Sequence, residues 1–284
     1  MRRETRIAAA LLGGAAATTV ATLAFGARRW QHATAEEVER LHHDESREAF
    51  PPYSRESLAG LPEPVARYFE FALLPGASRV RRARFRHAGE LRADASAAWS
   101  VFTSVEEFSV RPPGFVWDAT VQVAPLLSVR VRDSYVAGGG WSLAKLAGLV
   151  TVAELQASPQ LASAALARYL AESAWLPTAL LPSENLGWAA LGERSARVTL
   201  RDGAELASLD VEFGAAGEIE RVSTLRYREV GGALVLTPWG GRFRAYTRIQ
   251  GMMIPTEAEI EWVLPEGPLP VWRGRLVRAE YEFV

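Results

Sequence analysis

The chain has 284 residues, a formal net charge of -1 and 49% hydrophobic residues, a balance that fits one large or two modest globular domains and excludes wholesale disorder. It has no cysteine, which removes disulfides, thiolate metal sites and cysteine nucleophiles, and its near-zero charge gives no footing for nucleic-acid binding. Only four histidines occur and three precede residue 44, so His87 is the one candidate for histidine chemistry in the folded part.

Residues 7–27 carry no charge and are bracketed by Arg2, Arg3 and Arg6 before and Arg28 and Arg29 after. That length suits a membrane-spanning helix, although Ala, Gly and Thr dilute its apolarity. The expectation is a hydrophobic N-terminal helix over residues 1–29 that anchors the chain, with the remainder outside the cytoplasm. The alternative is export with signal cleavage near Ala24-Phe25-Gly26. Residues 30–60 are polar and read as a linker, with a short exposed helix around Glu36, Glu37, Glu39 and Arg40 that ends before Pro51-Pro52. His42, His43 and Asp44 could touch a metal, but a histidine pair in a solvated linker is ordinarily surface.

A single domain is expected over residues 61–284. Pro64 starts a helix whose Val65, Tyr68, Phe69 and Ala72 form one apolar stripe, and Pro75-Gly76 ends it. From residue 79 the period becomes two. Ala83, Phe85, His87 and Leu91 share a face, as do Val129, Val131, Asp133 and Tyr135. Leu209, Val211 and Phe213 repeat the pattern, followed by Ala258, Ile260 and Trp262 and then by Val277, Ala279 and Tyr281. One dry and one wet face is the mark of antiparallel sheet. Ser158-Pro159 caps a second helix with Leu161, Ala165, Leu166, Tyr169 and Leu170 as its stripe, and Pro177 closes it.

About ten strands and two main helices, with no βαβ alternation, predict an α+β fold that is mainly β. The economical form is a strongly curved antiparallel sheet, a half-barrel or open barrel, wrapped on the helices. Its concave face either fills with its own side chains or leaves a cavity.

No nucleophile elbow, phosphate loop or metal motif is present, and no cofactor is implied. The candidate ligand-binding residues are Trp117, Tyr135, Trp175 and Trp239, with Asp133 and Glu172 as ionisable groups in apolar contexts. They support two readings. One is a tethered or exported module binding a lipid or acyl chain. The other is a hydrolase using converging carboxylates, with His87 as a further candidate group.

The strings LPEPVARYFEFAL, GFVWDA, ALARYLAESAWLPTALLP, LRYREV, TPWGGRFRAY and GMMIPTEAEIEWVLPEG occur in this order over residues 61–284. In them the chain resembles uncharacterised bacterial proteins of the DUF6544/DUF6920 type. The resemblance implies no assigned activity. At fold level it implies similarity to curved-sheet lipid carriers of the lipoprotein-localisation type.

Overall fold

Backbone pairing turns the two-residue alternation into two antiparallel meanders. The computed structural model describes residues 2–43, 45, 51–125 and 127–284, with side chains from residue 21 onward. The first meander is β1 (Val80–Leu91), β2 (Ser100–Ser109), β3 (Gly114–Ala124), β4 (Leu127–Val136), β5 (Gly139–Leu146) and β6 (Val150–Leu155). The second is β7 (Leu186–Gly192), β8 (Ser195–Asp202), β9 (Glu205–Phe213), β10 (Ile219–Val230), β11 (Ala233–Ile249), β12 (Met252–Leu264) and β13 (Gly267–Phe283). β1 pairs with β13, which merges the meanders into one thirteen-stranded sheet with β6 and β7 at its open edges. The count exceeds the expected ten because short strands such as β6 and β7 carry no clean alternation.

The connection between the two edges contains α3 (Pro159–Glu172). Laid flat, thirteen strands would measure about 58 Å across, and a helix of this length only about 21 Å. The sheet curls instead, so that α3 packs against β4 and β5 from one meander and β9 and β10 from the other. Enclosure explains why α3 is buried almost all round, from Leu161 and Ala164 to Tyr169 and Leu170. Its alanines let the sheet approach closely. A Cβ on Gly140 would stand 2.4 Å from the Leu161 carbonyl oxygen, so glycine is required there. The predicted cap is in place: Ser158 Oγ accepts from the Leu161 N–H at 3.2 Å, and Pro159 opens the helix. The short helix α2 (Glu63–Ala72) seats Val65, Tyr68, Phe69 and Ala72 in the same core.

The N-terminal segment departs from the expected linker. One helix, α1 (Arg2–His43), runs through residues 30–43, and its C-terminal half lies on the convex face of β2, β3 and β4. Trp30, Glu37 and Leu41 are buried at helical spacing. Trp30 Nε1 donates to Asp118 at 3.0 Å, Thr34 Oγ1 donates to Asp118 Oδ2 at 2.8 Å, and Arg132 Nη1 donates to Thr34 Oγ1 at 2.8 Å. Arg132 lies over the rings of both Trp30 and Trp141. The outer positions Arg132 and Ser134, polar and expected to be wet, are therefore covered. Gly26 marks where docking begins, because a side chain there would strike Leu149. His42 pairs with Glu45, which also holds Arg82; Asp44 lies outside the described residues. Among the described residues no helix is long and apolar enough to cross a membrane.

Candidate functional site

Cross-strand partners project to the same face of a sheet. The register pairs Phe85 with Glu106, Glu106 with Trp117, Trp117 with Asp133, and Asp133 with Ser142, so one row of side chains crosses β1 to β5. Helix α3 lays Arg168 onto this row. Its Nη1 donates to Asp133 Oδ2 at 2.8 Å, its Nη2 to Glu106 Oε1 at 3.1 Å and its Nε to Glu172 Oε1 at 2.8 Å. The guanidinium lies 4.8 Å from the ring centre of Phe115 and 5.0 Å from that of Trp117. Glu172 reaches it through the i, i+4 spacing of one helical turn.

Three carboxyl groups around one cation would leave excess negative charge in a dry place. Glu106 relieves it. Burial first, and the neighbouring Glu172 charge second, hold its carboxyl well above the usual range, which favours its neutral form. Burial works against the Arg168 charge, but Glu172, Glu106 and Asp133 more than offset it and raise its pKa. His87 Nδ1 stands 3.8 Å from Glu106 Oε2. Burial, reinforced by the Arg168 charge, brings the His87 imidazole down to about 3, so it is neutral at pH 7. Among the described residues neither of its ring nitrogens has a hydrogen-bond partner, and Glu172 Oε2 also lacks one.

This polar cluster forms one wall of a cavity of about 340 Å³ between α3 and the concave sheet. The other walls are aromatic: Trp117, Trp175, Trp239, Trp262, Trp272 and Phe243. Trp175 is fixed at the base. Its Nε1 donates to the Pro255 carbonyl at 2.9 Å, and its ring packs 4.8 Å from His87. Trp239 and Trp262 are direct partners on β11 and β12. Trp239 thus sits within a regular strand, β11.

Of the six residues singled out from the sequence, Trp117, Asp133, Glu172, Trp175 and Trp239 line this one cavity. Tyr135 does not. It is two residues further along β4, and its hydroxyl donates to Asp202 Oδ2 at 2.6 Å instead. The residues missed are Glu106, Arg168 and Arg226. Each carried a signal. Glu106 continues the alternation Phe102, Ser104, Glu106, Phe108; Arg226 continues Val222, Thr224, Arg226; Arg168 stands one turn before Glu172.

Asp133 and Glu172 do converge, but on an arginine. Carboxylates paired in this way are poor bases and nucleophiles, and burial pushes the third group, Glu106, well above the usual carboxyl range. The cluster holds charge in place around a hollow whose volume and aromatic walls suit a small apolar molecule. A second hollow of about 350 Å³ touches another face of α3 at Tyr169 and the residue that follows the helix, Ser173. Of its arginines, Arg79 is directed at the Pro51 and Thr178 carbonyls and Arg81 pairs with Glu282.

No curated protein matches the sequence. Among solved structures the chain is similar to a LolA superfamily protein from Nitrosomonas europaea, with 11% identity, TM-score 0.41, and coverage of 78% of this chain and 93% of that one. It is also similar to a DUF1329 family protein from Desulfovibrio piger, with 11% identity, TM-score 0.37 and coverage of 72% and 86%. A beta-barrel-like DUF1849 protein from Brucella abortus follows at 13% identity, TM-score 0.26 and coverage of 72% and 100%. The model of a family of unknown function matches residues 59–281, so the chain belongs to DUF6920.

Proposed function

We propose that the protein is a binding module that holds an apolar ligand, a lipid or acyl chain, between α3 and the concave sheet. The observation that carries this reading is the unfilled, aromatic-walled cavity in an otherwise closed core. Well-packed interiors leave few voids larger than a water molecule, and a hollow of this size at the centre of a sheet is a binding site by default. The test is titration of the full-length protein with N-phenyl-1-naphthylamine, an uncharged apolar fluorophore. Binding with quenching of tryptophan emission is expected, and its loss in Ala171→Phe, which projects a ring from α3 into the hollow. Equal binding to both proteins would put the ligand elsewhere and overturn the reading.

Tethering is the second half of the proposal, with the domain outside the cytoplasm. Its support is the uncharged run over residues 7–27 and the exposed Leu23 and Phe25 near its end. The cysteine-free chain allows a clean test. An Ala204→Cys variant, on an exposed turn, should react with a membrane-impermeant thiol reagent in intact spheroplasts. Reaction only after lysis would reverse the orientation.

A hydrolase reading has one observation in its favour, the convergence of Asp133, Glu172 and Glu106. The Arg168 ion pairs count against it.

A further inference from the structure

Three arginines gather at one end of the aromatic cavity, and none of them has an ion-pair partner among the described residues. Arg226 and Arg92 line it, and Arg228 lies beside Arg226 on the same face of β10. Each is held by tryptophan. Arg226 lies 5.2 Å from the Trp239 ring centre and 5.8 Å from that of Trp262, Arg228 lies 5.7 Å from Trp262, and Arg92 lies 4.8 Å from Trp99. The register places them at the same end of the sheet: Leu91 pairs with Trp272, Trp272 with Ile260, Trp262 with Trp239, and Arg226 with Thr237.

Arg226 is the most telling of the three. Its Nε donates to the Ala164 carbonyl at 2.8 Å, which fixes the plane of the guanidinium. Nη1 and Nη2 make no hydrogen bond among the described residues, although the side chain borders the cavity. Burial, helped by the Arg168 charge, lowers its pKa to about 10, as an uncompensated cation in a dry place requires. It remains charged at pH 7. The nearby carboxylates Asp133 and Glu172 are already taken by Arg168. A fixed guanidinium with two free donors matches a carboxylate in a bidentate pair.

We infer that the cavity selects amphiphiles with a carboxylate head, the head pairing with Arg226 at the rim and the tail lying among Trp239, Trp262 and Trp272. The inference rests on the apolar-ligand reading and adds the chemistry of the head. The test uses three probes with the same twelve-carbon tail: dodecanoate, dodecanol and dodecyltrimethylammonium. Each is titrated below its critical micelle concentration against the full-length protein at pH 8, with tryptophan emission as the readout. Dodecanoate should bind at least about tenfold more tightly than either of the others, as a charge-assisted pair requires. That preference should shrink with added salt. Arg226→Gln should remove the preference, bringing dodecanoate binding down to the level of dodecanol in the same variant. Should that variant fail to fold, the wild-type preference and its salt dependence still decide, and Arg92→Gln, at the rim, should weaken the preference in part. Equal binding of dodecanoate and dodecanol, or a preference for the ammonium, overturns the head assignment and leaves the cavity reading standing. Binding of none of the three overturns both.

Discussion

The Tyr135 hydroxyl donates to Asp202 Oδ2 at 2.6 Å, although β4 and β8 are nine places apart in the sheet order. A side chain can bridge strands so far apart only if the sheet has curled until its halves face each other across α3. Tyr135 is fully buried, and burial followed by the Asp202 hydrogen bond raises its pKa well above the ordinary phenol value. Tyr135→Phe should cost about 1 to 2 kcal/mol in urea denaturation, as expected for a hydrogen bond to a charged acceptor. No loss would show that enclosure of α3 alone maintains the curl.

Docking of α1 depends on Asp118, which accepts from both Trp30 and Thr34. Asp118→Ala leaves the partly buried Trp30 N–H and Thr34 hydroxyl without that acceptor, at a cost of about 1 to 3 kcal/mol. Hydrogen exchange over residues 30–43 should accelerate while β7 to β13 keep their protection. Unchanged exchange in the helix would mean that packing of Trp30 and Leu41 suffices.

Arg168 pairs with three carboxyl groups, those of Asp133, Glu172 and Glu106. Arg168→Met keeps much of the volume and removes the cation, which leaves Asp133 and Glu172 uncompensated. Breaking a buried ion pair from one side typically costs about 3 to 5 kcal/mol. The loss should be smaller in the Arg168→Met, Asp133→Asn, Glu172→Gln triple variant. Equal losses in the single and triple variants would contradict the charge argument.

His87 gives the fold an acid limit. Its imidazole titrates near 3 in the folded protein, and near the ordinary 6.5 in the unfolded chain. Between those values the unfolded state binds one more proton, so stability is full above about 6.5 and falls as the pH drops towards 3, by up to about 1.4 kcal/mol per unit. His87→Phe, in its aromatic surroundings, should lose this slope between pH 6 and 4 in thermal melts. Identical slopes in both proteins would place the acid sensitivity elsewhere.

The fold was legible wherever one face of a strand meets water. Ala83, Phe85 and His87 on β1, and Leu209, Val211 and Phe213 on β9, point inward as their alternation requires. The α1 dock was harder to read because its stripe, Trp30, Thr34, Glu37 and Leu41, is half polar and meets a polar outer face. Asp118, Arg132 and Ser134 look like a wet surface until a helix covers them. The cavity was half legible. Aromatic residues and isolated acids stand out in a sequence, and five of the six chosen line one hollow. The cation that organises the acids did not stand out. Arg168 lies beside the apolar stripe of α3 and looks like one surface arginine among many, since its burial follows only from the curl of the whole sheet.

The most direct measurement is bromine anomalous scattering from crystals of the protein grown with 1-bromododecane. The account predicts bromine and chain density inside the hollow bounded by Trp117, Trp175, Trp239 and Trp262. Bromine confined to the convex face, or a hollow closed by its own side chains, would contradict it.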